Sequence, residues 1–164
     1  LIETLTDEIS SVSTGPGTFT YENLTGDSDR QGLELTGRVA LTTNLDLRGS
    51  YTYIDATNPD GSVEVRRPEH ELSLGVTWRA FEDRATFSAD LRHVRGNFDS
   101  QFFGSFATAE LPDFTTVDLS ARYKINDNVT VTGRVVNLFD DDAMEVWGYF
   151  GRPRTLYVGL DARF

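Results

Sequence analysis

The chain has 164 residues, enough for one domain, and a formal net charge of −11, which argues against nucleic-acid binding because that needs a basic face. It contains no cysteine, so a disulfide or a thiolate metal site is excluded, and no apolar run approaches the roughly 20 residues of a membrane helix. A β-barrel escapes that last test, since half of each of its strands faces a polar lumen. Fourteen glycines, eleven phenylalanines and six tyrosines favour strands over helices.

In chain order, Leu1 to about Ser11 reads as a strand with a poor pattern. Leu1-Ile2-Glu3-Thr4-Leu5 looks like the middle of a strand and no secretory leader precedes it, so the reading expects a chain truncated at its N-terminus. Thr18 to Leu24 is expected to begin a strand that continues through Leu41, interrupted near Asp27-Ser28-Asp29. From Leu33 onward apolar and polar residues alternate, the signature of a strand with one apolar face. Leu33, Leu35, Gly37, Val39 and Leu41 share a face, and Thr42-Thr43-Asn44 makes a tight turn. The next strand sets Leu45, Leu47, Gly49, Tyr51 and Tyr53 against Asp46, Arg48, Ser50 and Thr52.

Beyond a loop around Asn58-Pro59-Asp60-Gly61, Leu72, Leu74, Val76 and Trp78 oppose Glu71, Ser73, Thr77 and Arg79. A turn near Phe81-Glu82-Asp83 leads to Ala85, Phe87, Ala89 and Leu91 against Thr86, Ser88, Asp90 and Arg92. After a longer loop from Gly96 to Pro112 come Val117, Leu119, Ala121 and Tyr123, then the hairpin turn Asn126-Asp127-Asn128, then Val129, Val131, Gly133 and Val135. A loop from Asp140 to Arg152 precedes a last strand with Leu156, Val158, Leu160, Ala162 and Phe164 on its apolar side.

The fold class expected is all-β, an antiparallel up-and-down transmembrane barrel of which about eight strands form an open curved sheet. From Leu33 onward the central apolar-face positions contain no charge. That segregation suits a lipid-facing wall, where a charge at the bilayer midplane costs roughly 2–4 kcal/mol. A soluble antiparallel sandwich also has one apolar face. Short turns alternating with long loops are the rhythm of an outer-membrane barrel, with periplasmic turns and extracellular loops. Trp78, Tyr123 and Phe164 fall at the short-turn height, where a periplasmic aromatic girdle belongs.

Four stretches resemble the TonB-dependent receptor family: Arg67-Pro68-Glu69-His70, Leu111-Pro112-Asp113-Phe114-Thr115-Thr116-Val117-Asp118-Leu119, Asn137-Leu138-Phe139-Asp140 and Gly151-Arg152. Tyr157, Gly159, Ala162 and Phe164 resemble the closing motif of outer-membrane barrels, which the barrel assembly machinery recognises. Ala162 departs from the bulkier apolar residue usual there. The resemblance implies that residues 1–164 are the C-terminal portion of a 22-stranded barrel, without the plug domain and the TonB-binding segment. Its implied function is energised uptake of a scarce nutrient, such as an iron-siderophore or cobalamin-like complex. The implied partners are outer-membrane lipid and lipopolysaccharide, the assembly machinery, the receptor's own plug, TonB and the nutrient complex. No cofactor and no enzymatic activity are expected.

Two loops rich in aromatics are the candidate ligand contacts. One holds Phe98, Phe102, Phe103 and Phe106; the other holds Trp147, Tyr149, Phe150 and Arg152. Such clusters mark recognition surfaces or pack loop against loop. His70 and His93 lack a third metal ligand and read as rim residues on the apolar face. Asp140-Asp141-Asp142 is either a calcium-binding or a solvated acidic loop. Facing arginines and carboxylates on the polar side are expected to pair across strands or to line a path. Two further readings stay open: a complete eight-stranded barrel with a structural or adhesive role, and a lipocalin-like barrel with its apolar face inside.

Overall fold

A computed structural model describes residues 1–101 and 107–163, all in strands, turns and loops. Eight antiparallel strands make the main sheet: β1 (Ile2–Thr6), β4 (Asp27–Ala40), β5 (Leu45–Thr57), β6 (His70–Ala80), β7 (Ala85–Arg95), β10 (Phe114–Lys124), β11 (Val129–Val136) and β14 (Thr155–Ala162). They pair in chain order, with β1 and β14 at opposite edges, so the sheet is an open meander. Three two-stranded ribbons stand on the connections: β2 (Ile9–Gly15) with β3 (Thr18–Asn23), β8 (Phe98–Ser100) with β9 (Thr108–Glu110), and β12 (Met144–Val146) with β13 (Tyr149–Phe150).

The N-terminal expectation needs correction. Thr18–Asn23 does not run on into the strand ending near Leu41; it turns back on Ile9–Gly15, and the first sheet strand is only Ile2–Thr6. Gly26, at φ 112°, separates the ribbon from β4 in a conformation that side-chain-bearing residues rarely adopt. The loops read as irregular at 96–112 and 140–152 likewise contain the ribbons β8–β9 and β12–β13.

All connections at one end of the sheet are tight. At 41–44 the amides of Leu41 and Thr42 both donate to the Leu45 carbonyl, at 2.8 and 3.3 Å. At 125–128 the Asn126 side-chain oxygen accepts from the amides of Asn128 and Val129, both at 2.9 Å. At 81–84 Phe81, Glu82 and Asp83 take positive φ in succession. The opposite end holds the long connections at 7–26, 58–69, 96–113 and 137–154.

The apolar face of the sheet is left open. Leu33 is 51% exposed, Leu74 48% and Val158 77%. At the short-turn height Trp78 and Phe87 stack with ring centroids 5.5 Å apart. At the long-loop height Tyr51, Tyr53 and His70 form a second aromatic band, with the Tyr51 hydroxyl 2.8 Å from His70 Nδ1. The only buried apolar cluster among the described residues, Val94, Phe114 and Ala143, lies where the connection 137–154 folds over the ends of β7 and β10. Val94 and Phe114 pair directly on the polar side of the sheet.

Candidate functional site

The polar face is a lattice of cross-strand ion pairs, and alternation puts every member on that face. Arg79 meets Asp46 at 2.8 Å, Arg92 meets Glu71 at 2.8 Å and Arg134 meets Asp118 at 2.7 Å. Arg38 lies 3.5 Å from Asp46. Asp90 and Asp118 stand directly opposite each other on neighbouring strands. The repulsion is offset from both flanks, by Arg48 on Asp90 and by Arg134 on Asp118. Arg48, Asp90, Arg92 and Asp118 border one hollow of about 620 Å³ on this face. The expectation of paired charges is met for these residues, whereas Arg122 has no carboxylate partner among the described residues.

At the long-loop end the connections are tied to one another. Asp99 is fully buried and accepts three bonds: from Arg66 Nε and the Ser100 amide at 2.9 Å, and from the Trp147 amide at 2.8 Å. One carboxylate therefore joins the connections 58–69, 96–113 and 137–154. Burial alone would push this carboxyl up; the Trp147 amide, Arg66 and the Ser100 amide outweigh it and hold it below the ordinary carboxylate value. Arg92 grips Glu145 with two nitrogens, at 2.7 and 3.1 Å, so the ribbon β12–β13 is anchored to the polar face. The Asn97 side chain adds a bond to the Glu145 carbonyl at 3.1 Å.

Asn137 locks the base of the same connection. Its amide nitrogen donates to the carbonyls of Asp141 and Arg152, at 2.8 and 3.1 Å, and its oxygen accepts the Asp141 amide at 3.0 Å. Its backbone amide donates to Asp118 at 3.0 Å, and its φ of 51° suits an asparagine. Two carboxylates of the acidic triplet are spent in this frame. Asp140 accepts the Arg154 amide at 2.6 Å and Asp141 accepts the Thr115 amide at 2.9 Å. No cluster of three metal-binding side chains is found among the described residues. His70 and His93 do not form a pair; His93 bonds to Thr115 Oγ1 at 2.9 Å.

Of the candidate ligand contacts, Tyr149 and Phe150 stand on β13, 69% and 65% exposed, at the end of the anchored ribbon. Trp147 is half-buried and fixed through its amide to Asp99. Arg152 departs from this group: its guanidinium turns to the Tyr157 hydroxyl at 2.8 Å and lies 6.0 Å from that ring. Phe102, Phe103 and Phe106 lie outside the described residues, as does Phe164 of the closing motif. Within that motif Gly159 lies opposite Thr132 and Ala162 opposite Val129. A Cβ on Gly159 would sit 2.6 Å from Thr132 Oγ1, so this position has room only for glycine while Thr132 keeps its place. Asp99 and Glu145, which fix the loops, have no signal in the sequence, because the groups they hold, Arg66 and the Trp147 amide for Asp99 and Arg92 for Glu145, come from segments far away along the chain.

A family model described as TonB dependent receptor-like, beta-barrel, matches residues 3–138. The metal-pseudopaline receptor CntO of Pseudomonas aeruginosa is 34% identical over 157 residues, covering 88% of this chain and 22% of the relative. The vitamin B12 transporter BtuB of Photobacterium profundum is 29% identical, over 84% of this chain and 22% of the relative. Among solved structures, the closed form of the ferric-catecholate import receptor Fiu from E. coli K12 superposes with a TM-score of 0.76 at 24% identity, over 99% of this chain and 24% of that one. The chain thus spans about a quarter of the length of the relatives it matches. With its open eight-stranded sheet, its uncovered apolar face and its paired polar face, the chain belongs to the TonB-dependent receptor family as a stretch of its outer-membrane β-barrel.

Proposed function

We propose that this segment is the C-terminal part of a receptor for TonB-energised uptake of a scarce, bulky nutrient, of the iron-siderophore, metal-metallophore or cobalamin-like class. The observation that carries the reading is the ribbon β12–β13. It is anchored over the polar face by Arg92 and Asp99 while it offers Tyr149 and Phe150 to solvent. Rigid, exposed aromatics lose little entropy on binding and suit flat or aromatic ligand surfaces. The similarity to a metal-pseudopaline receptor and to a vitamin B12 transporter supports the nutrient class. Nothing in this role calls for catalysis. The polar face would then look onto a plug domain, and TonB would act through that plug.

The same reading assigns the apolar face to outer-membrane lipid, with lipopolysaccharide at the long-loop rim. It assigns Tyr157, Gly159, Ala162 and Phe164 to the signal recognised by the assembly machinery. Deleting Phe164 should lower the surface level of the full-length receptor, and Ala162→Phe should be tolerated.

The test of uptake uses the full-length receptor that carries this segment. A Tyr149→Ala, Phe150→Ala double variant should weaken binding of a ferric siderophore, metal-metallophore or cobalamin panel by about tenfold to a hundredfold for the cognate member, the scale of two lost aromatic contacts. Unchanged affinity for every member bound by the wild type would remove these residues from the ligand site.

A further inference from the structure

The apolar face has a groove of about 880 Å³ that spreads from Leu45 on β5 across β6, β7, β10 and β11 to Leu156 on β14, bordered at its centre by Val76, Trp78, Phe87, Leu119, Ala121 and Gly133. We propose that it holds one acyl chain of a membrane glycerophospholipid whose phosphate rests on Arg84 at the short-turn rim. This inference rests on the placement of the barrel in the membrane and is independent of the nutrient taken up.

Three observations carry it. The first is shape. Strand register sets Ala121 opposite Gly133, in a row that runs from Trp78 through Phe87 to Val158. Leu119 and Val135 bound the gap on one side, Tyr123 and Val131 on the other. A Cβ added to Gly133 would meet nothing within 4 Å, so no neighbouring side chain reaches into the gap. The stacked rings of Trp78 and Phe87 form a stiff wall beside it.

The second is charge. The Arg84 guanidinium lies 5.4 Å over the Tyr123 ring, on the same face as the groove and one row nearer the turn. Nε and one terminal nitrogen donate to the carbonyls of Lys124 and Ile125, at 3.3 and 2.9 Å, which fixes the group at the rim. Asp83, its neighbour in the turn, is directed to Arg79 at 4.0 Å, and no ion pair among the described residues neutralises Arg84. A fixed guanidinium with an uncompensated charge at a membrane interface selects a phosphate.

The third is environment. The outward face of a barrel is covered by hydrocarbon, and the short-turn end of outer-membrane barrels lies in the periplasmic leaflet. A groove bordered mainly by apolar residues and opening beside a cation at that height therefore fits a phospholipid with its headgroup at Arg84 and one chain over Ala121 and Gly133.

The experiment is native mass spectrometry of the full-length receptor in mild detergent, titrated with phosphatidylethanolamine. Folding of each variant is checked by its heat-modifiable electrophoretic mobility. Wild type should keep one phospholipid at concentrations where others are lost. Arg84→Gln and Gly133→Leu should each weaken that retention by about tenfold, the scale of one charge-assisted contact or of a filled groove. Arg84→Lys should restore part of it. Equal retention in wild type and Arg84→Gln overturns the proposal, even if Gly133→Leu fails to fold. Retention of lipopolysaccharide in place of the phospholipid also overturns it.

Discussion

Arg48 on β5 reaches Asp90 on β7 by passing over Gly75 of the strand between them, and all three residues lie in one cross-strand row. A Cβ on Gly75 would stand 2.6 Å from Arg48 Nε and 2.8 Å from Asp90 Oδ1, so the ion pair fills the space a side chain would take. At Gly32 the conflict is of another kind: the added Cβ would meet the carbonyl oxygen of Tyr53 and stand 3.2 Å from Ile54 Cα, both backbone.

These two glycines give the first prediction. Gly75→Ala forces only two flexible, half-exposed side chains, Arg48 and Asp90, aside, so it should cost no more than about 1 kcal/mol, the scale of an exposed ion pair. Gly32→Ala displaces a strand and should cost about 1–3 kcal/mol, the range for overpacking. Denaturant midpoints of the full-length variants check the order. A larger loss at Gly75 than at Gly32 would contradict the account of both sites.

The second prediction concerns Asn137, which is 2% exposed. Its side chain makes three bonds that no other residue supplies at positive φ. Asn137→Gly keeps the backbone conformation and loses all three; Asn137→Asp keeps the acceptor and loses both donors. Each should expose the connection 137–154 to limited proteolysis, and a global loss of about 1–3 kcal/mol is expected for the unsatisfied groups. Equal protease resistance in the three proteins would show that the connection is held by other contacts.

Physical reasons separate what the sequence revealed from what it hid. Strands from Leu33 onward were legible because each has one apolar face, and alternation records that asymmetry. Thr18–Asn23 is legible as a strand, but its return onto Ile9–Gly15 is not, because the break before β4 is made by the backbone conformation of Gly26, which alternation does not record. Asn137 stood out as part of a recognisable stretch, but its partners are the carbonyls of Asp141 and Arg152, which leave no trace in residue identity. Tyr149 and Phe150 were legible as candidates from their chemistry; that Arg152 turns away to Tyr157 depends on the path of the loop.

Asp99 gives a pH prediction. Its folded carboxyl is held below the ordinary value of 3.8, so its contribution is fully present above that value and is lost as pH falls through the folded value. A fluorophore on Tyr149→Cys in the full-length receptor should keep constant anisotropy from neutral pH down to about 4 and become mobile only at more acid pH. In an Asp99→Asn background the label should already be more mobile at neutral pH, because the ion pair between Asp99 and Arg66 is lost. Identical anisotropy in the two backgrounds at neutral pH would show that Asp99 does not hold the ribbon.

The last prediction distinguishes a lipid-covered face from one merely exposed to water. Leu74 sits mid-strand on β6, directly opposite Gly49 and Leu91, and is 48% exposed. In water, lysine at a half-exposed leucine would cost little, since the long side chain can lay its charge in solvent. In the hydrocarbon core the same charge costs about 2–4 kcal/mol near the midplane. Thr77, three residues further along β6, faces the polar side opposite Asp46, where a lysine gains a carboxylate partner. In the full-length receptor refolded into bilayers, Leu74→Lys should therefore lose about 2–4 kcal/mol while Thr77→Lys changes stability by under about 1 kcal/mol. If the two substitutions cost the same, the uncovered leucines of this sheet do not face lipid, and both the membrane placement of the apolar face and the phospholipid groove beside Trp78 fall together.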